Sequence, residues 1–290
     1  MRRFLITTLI LALLPIAVLS RPLSLVVSIP PQQEAVRAIA GNDAKIIVLV
    51  PKGASPETYS PSAGEIRRLS KADMLFTIGI PIEKSLVPKL RKLNGSLRIV
   101  DATASMKYRD MEGGHDGHDH GAKDPHVWLS IDNMIIHAQA VSRALAENDS
   151  GNAEDYSARA NTYITSLMKL KEELANSMKH LSGGKLLVFH PAFGYFLDQY
   201  GMTQIPVELD GHEPTGKRLA AISNLRRSAK AFVLFVQPQS NTVLAESVAK
   251  TLILKPIVID PLPDDYSEGM RNMANTIVNA CFKYGPLECN

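Results

Sequence analysis

"NAEDYSARANTYITSLMKLKEELANSMKHLS" occupies residues 152–182 and contains neither glycine nor proline. Tyr156, Ala160, Tyr163, Leu167, Leu170, Leu174, Met178 and Leu181 recur at steps of three or four. That spacing lines one face of an α-helix with apolar side chains and leaves the rest to water. At 1.5 Å per residue, a helix of this length reaches about 45 Å, far longer than a connector between neighbouring elements needs. The stretch predicts a stiff strut, unlike the Gly/Ser linkers that allow wide hinge motion. A break into two helices near Ser166 is the alternative pattern.

On either side of this strut the sequence repeats one plan. Before it come the runs 23–29 (LSLVVSI), 45–50 (KIIVLV), 74–79 (MLFTIG) and 97–102 (LRIVDA). After it come 185–190 (KLLVFH), 204–209 (QIPVEL), 231–237 (AFVLFVQ) and 255–260 (KPIVID). Nearly unbroken Val, Ile and Leu mark strands covered on both faces, as in parallel sheets. The segments between them, such as 61–73 and 214–231, open on proline and carry helical spacing. Strands alternating with helices predict an α/β class of two lobes, each built on a parallel four-stranded sheet. The expected division is an N-terminal lobe over 21–150, the connector helix over 151–183 and a C-terminal lobe over 184–290.

The ends of the chain speak to compartment. Arg2 and Arg3 precede an apolar run to residue 19, followed by Ser20, which reads as a cleaved signal peptide over 1–20. Its removal lowers the formal charge from +3 to +1. No block of basic residues suggests a nucleic-acid partner, and a monomer is expected. Cys281 and Cys289 are the two cysteines. Export to an oxidising compartment permits them to pair, and two free thiols remain the alternative.

Ligands of open α/β sheets bind beyond the carboxyl ends of the strands. Four metal-capable side chains stand there: Glu57 after the second strand, His126 after the fourth, His190 at the fifth and Asp260 at the eighth. Two precede the strut and two follow it, so they would meet between the lobes. Pro56 and Pro125 precede, and Pro191 and Pro261 follow, these four residues, stiffening the backbone that carries them. Glu208, Asp264 and His212 are candidates for orienting the imidazoles. His137 reads as a core residue of a helix, and His180 as a cation at a helix C-terminus. His115, His118 and His120 fall in a Gly/Asp-rich tract over 113–121, which has the composition of a mobile loop able to hold zinc weakly.

The segments "GASPETYSPSAGEI" (53–66), "DPHVWLS" (124–130), "FHPAFGYF" (189–196), "DGHEPT" (210–215), "VQPQSN" (236–241) and "IDPLPDDY" (259–266) together resemble the exported zinc- and manganese-binding receptors of ABC importers. The resemblance spans essentially the whole mature chain. It implies a periplasmic protein with one transition-metal ion between two lobes, delivered to a membrane permease. It places the metal ligands on Glu57, His126, His190 and Asp260, with Glu57 standing where the family most often has histidine. The His-rich tract is common in the zinc-uptake branch, so Zn²⁺ is the expected cargo, with Mn²⁺ or Fe²⁺ as alternatives. No enzymatic activity is expected. The competing class is a secreted zinc hydrolase with Glu57 as general base, which would need an open metal position and a substrate pocket. Affinity is expected to fall below about pH 6.5, the reference value for imidazole.

Overall fold

A computed structural model describes residues 21–42, 44–111, 123–209, 213–228 and 232–284. In the first lobe β1 (Ser24–Val27), α1 (Gln32–Ala40), β2 (Lys45–Val48), α2 (Ala63–Leu69), β3 (Met74–Thr77), α3 (Pro81–Leu93) and β4 (Arg98–Asp101) alternate. Two helices, α4 (Ile131–Asn148) and α5 (Ala153–Met178), follow. The second lobe runs β5 (Lys185–Val188), α6 (Gly194–Asp198), β6 (Thr203–Pro206), α7 (Gly216–Ser228), β7 (Val233–Val236), α8 (Thr242–Thr251), β8 (Lys255–Val258) and α9 (Tyr266–Tyr284). All strand pairs are parallel, in the orders β2-β1-β3-β4 and β6-β5-β7-β8. The lobes thus repeat one topology, with switch points between β1 and β3 and between β5 and β7.

The central strands are covered on both faces, whereas β8 is largely exposed at the edge of its sheet. Pro206 and Pro256 lie in the two edge strands, β6 and β8, where the missing N–H disrupts pairing least.

The strut is a single α-helix of 26 residues extended at each end by a short 3₁₀ turn, with no break at Ser166. Its buried residues are Tyr156, Ala160, Tyr163, Leu167, Leu170, Leu174 and Met178, the same stripe that the spacing defines. α5 packs on α1 and α4, and α9 returns from the second lobe to pack on α5 and α1. Ser267 at the start of α9 donates both its N–H and its hydroxyl to Glu34 of α1. One hydrophobic core therefore runs through both lobes and the strut, from Leu25 and Phe76 to Leu186, Phe196, Tyr266 and Ile277. A smaller core lies on the other face of the second sheet, around Leu187, Phe189, Leu234 and Val248. Among the described residues no helix is long and apolar enough to cross a membrane. The His-rich tract over 113–121, His212, Cys289 and residues 1–20 lie outside the described residues.

Candidate metal centre

Every segment that lines the interlobe pocket leaves the carboxyl end of a strand. Ser55, Pro56 and Glu57 follow β2, Ile80 and Pro81 follow β3, and Pro125, His126 and Trp128 follow β4. From the second lobe His190 follows β5, Gln237 and Gln239 follow β7, and Pro261 and Leu262 follow β8. The cavity they enclose is about 20 Å³. That is room for one ion or water, well below the several hundred Å³ of a site for an organic ligand.

Glu57, His126 and His190 each bring one ligand atom within 4.8 Å of the other two. The two imidazole rings lie 5.4 Å apart, centroid to centroid, at an interplanar angle of 74°. His126 Nδ1 is 2.7 Å from Asp124 Oδ1, and the His126 peptide N–H donates to the same oxygen at 2.9 Å. His190 Nδ1 is 2.9 Å from Glu208 Oε2. A carboxylate on Nδ1 fixes each ring and leaves Nε2 as the atom for a metal. His190 Nε2 is buried and makes no hydrogen bond, although Glu57 Oε1 lies 3.0 Å away. The side-chain oxygens of Gln237 and Gln239 are likewise buried in this wall without a hydrogen-bond partner.

Electrostatics tie the three donors together. Burial alone would lower the His190 pKa, but Glu208 and Glu57 outweigh it and raise the value to about 9. Burial would raise the Glu57 pKa, and the facing His190 and His126 instead hold it below the ordinary carboxylate value. Burial acts on Asp124 in the same upward sense and is overcome by His126 and Arg109.

Two of the candidates stand outside this group. Asp260 does not join the group within 4.8 Å: its Oδ1 accepts from Gln239 Nε2 at 2.8 Å and from the Leu262 N–H at 2.9 Å. Its own short turn and a neighbouring amide compete for the carboxylate. Asp264 contacts no imidazole among the described residues, and its carboxylate pairs with Lys52 at 2.6 Å. Glu208, the other candidate carboxylate, does meet His190. His137 is fully buried on α4 with neither ring nitrogen hydrogen-bonded, and burial lowers its pKa to about 4. His180 stacks on Phe282, with ring centroids 5.2 Å apart.

The support that sequence reasoning missed comes from contacts both local and distant in the chain. Asp124 is completely buried and also binds Arg109 Nη1 at 3.0 Å. Its place two residues before His126 was the available signal, since Asp at that spacing can bond the backbone ahead of it. Glu83 of α3 accepts from the N–H groups of Ile78 and Gly79 and from the Ser28 hydroxyl. Gln32 accepts from the N–H groups of Ser28 and Ile29 and donates to the Phe76 carbonyl. Together they join the ends of β1 and β3 beneath Ile80 and Pro81. The Trp128 indole N–H donates to the Pro261 carbonyl at 2.7 Å, so the only tryptophan spans the two lobes.

A sequence-family model described as ZnuA, zinc-uptake complex component A periplasmic, matches residues 25–280. The zinc-binding protein AdcA of Streptococcus pyogenes serotype M3 is 27% identical over 252 residues, which cover 80% of this chain and 49% of AdcA. The chain thus spans about half the length of such relatives. The high-affinity zinc uptake system protein ZnuA of Bacillus subtilis is 26% identical over 251 residues, covering 83% of this chain and 78% of that protein. A crystal structure of ZnuA superposes with a TM-score of 0.82 at 30% identity, covering 89% of this chain and 98% of the other.

Proposed function

The chain belongs to the ZnuA family, and from that premise we propose that it is a periplasmic receptor that captures Zn²⁺ between its lobes and delivers it to an ABC-type permease. One observation carries the reading: Glu57, His126 and His190, supplied from both sides of the strut, converge within 4.8 Å in an ion-sized cavity. Two imidazoles and a carboxylate suit zinc, and three protein donors leave one tetrahedral position for water. Gln237 and Gln239 offer acceptor oxygens to such a water. Asp260, next in sequence to the lining residue Pro261 and hydrogen-bonded to Gln239, supplies further negative charge beside the cavity. The chain is read as an exported N-terminal lobe (21–150), a connector (151–183) and a C-terminal lobe (184–290), preceded by a signal peptide. His115, His118 and His120 are proposed to gather zinc weakly as an auxiliary element.

A hydrolase with Glu57 as general base fits less well, because a cavity of about 20 Å³ leaves little room for an organic substrate beside a metal. The test is titration of metal-free protein with Zn²⁺ and Mn²⁺, followed by Trp128 emission and calorimetry. One tight zinc equivalent is expected, lost in His126→Ala and weakened in Glu57→Ala. Wild-type affinity in both variants would reject the site. Preference for Mn²⁺ at equal free concentrations would reject zinc as the cargo.

A further inference from the structure

The two imidazoles sit on separate segments, one before the strut and one after it, and a single guanidinium stands between those segments. Arg109 Nη1 donates to Asp124 Oδ2 at 3.0 Å, and Arg109 Nε donates to Asp198 Oδ2 at 2.9 Å. The other Asp124 oxygen, Oδ1, is the one that holds His126 through both its N–H and its Nδ1. Asp198 closes α6, the helix that begins four residues after His190. The same two segments meet again at Tyr195 of α6, whose hydroxyl accepts from the Arg109 N–H at 3.0 Å and donates to the Asp124 carbonyl at 3.1 Å. Gly194, the first residue of α6, makes the approach possible, since a Cβ there would fall 1.7 Å from Arg109 Nη1. The α6 end of the arrangement is itself fixed to the His190 segment. The Phe193 N–H donates to the buried Gln204 side chain, whose amide in turn donates to the Pro191 carbonyl.

We propose that Arg109 is a positioning residue that sets the separation of His126 and His190, by clamping the Asp124–His126 turn to the α6 end of the His190 segment. The proposal rests on the metal-centre reading above. The planar fork of arginine reaches two carboxylates along separate N–H directions, which the point charge of lysine does not reproduce. Asp198 is half exposed, so an ordinary surface pair there would contribute little to stability. Under the proposal its loss loosens the ligand set from a distance.

The experiment uses the full mature chain and Zn²⁺ and Co²⁺ as probes, on Arg109→Lys, Asp198→Asn and Gly194→Ala, with His126→Ala as the control for the site itself. Circular dichroism and melting temperature establish folding. Zinc affinity and the visible ligand-field spectrum of the Co²⁺ form report geometry, which a merely structural residue would leave unchanged. Folded Arg109→Lys and Asp198→Asn should lose about 10-fold or more in zinc affinity, the range seen when partners of ligating histidines are removed. Their Co²⁺ bands should shift, and Gly194→Ala, which displaces the guanidinium, should behave alike. Wild-type affinity and spectrum in Asp198→Asn overturn the clamp between the lobes, even where Arg109→Lys is impaired or unfolded. Binding retained in His126→Ala instead removes the metal-centre reading, and the proposal with it.

Discussion

His190 holds a carboxylate at each edge of its ring, Glu208 on Nδ1 and Glu57 beside Nε2. With its pKa raised to about 9, the metal-free protein keeps this ring protonated at neutral pH. A metal must therefore displace a proton, because only the neutral ring ligates. Zinc binding at pH 7 is expected to release about one proton, measured by calorimetry in buffers of differing ionisation enthalpy. Affinity should keep rising with pH toward about 9, well above the 6.5 that an unperturbed histidine suggests. The same shift governs stability. A folded-state pKa above the unfolded value stabilises the metal-free protein fully below about pH 6.5 and is lost as pH rises through about 9. The melting temperature of the metal-free protein should fall across that window, and His190→Gln should lack this component of the fall. His137 has the opposite character: a buried ring with two unsatisfied nitrogens and a pKa lowered to about 4. Replacing it with Leu removes polar atoms that have no partner, so His137→Leu is expected to hold or raise the melting temperature without changing zinc stoichiometry.

At the scale of elements, the segment that carries Glu57 is pinned by the start of α2. Ser62 and Glu65 form a reciprocal capping box, and the Tyr59 hydroxyl donates to Glu65 at 2.8 Å. Hydrogen bonds from Ser62 and Tyr59 hold the Glu65 pKa down at about 2, so its carboxylate stays ionised for the lock down to about that pH. Ser62→Ala should cost about 1 kcal/mol, as lost N-caps do, and should weaken zinc binding by loosening residues 55–62. Unchanged affinity alongside a lowered melting temperature would separate the cap from the site. In α5 the fully buried Leu167 meets the shared core. Leu167→Ala should cost about 2–5 kcal/mol, read as a shift in the denaturant midpoint, with one zinc equivalent retained. The strut was visible in the sequence because a 3.6-residue period repeated over eight turns is hard to produce otherwise. The return of α9 onto α5 and α1 had no such signal, since amphipathic spacing in α9 states that one face is buried but not against which partner.

For the molecule as a whole, the continuous core and the strut resist wide opening. Lobes that share one hydrophobic interior separate only by exposing it, at about 25 cal/mol for each Å² of apolar surface. Scattering profiles of metal-free and zinc-loaded protein should therefore give nearly equal radii of gyration, with metal-dependent change confined to the segments at the strand ends. A large contraction on loading would contradict this. Trp128, 5.3 Å from the His126 ring and bonded to Pro261 in the other lobe, reports the same local change through its emission.

The sequence by itself determined the eight strands, the strut and the positions of Glu57, His126 and His190, because each follows from a local period or from a strand's end. Glu57, His126 and His190 lie within 4.8 Å of one another, while the Asp260 carboxylate is engaged by Gln239 and its own turn. Only the tertiary structure decided that competition. It also decided which carboxylate faces each imidazole, how far the His190 proton is held, and where Arg109 inserts. Apart from the local Asp124–His126 contact, those outcomes depend on distances between residues well separated in the chain, and at 3 Å a shift of one ångström is the difference between a bond and none.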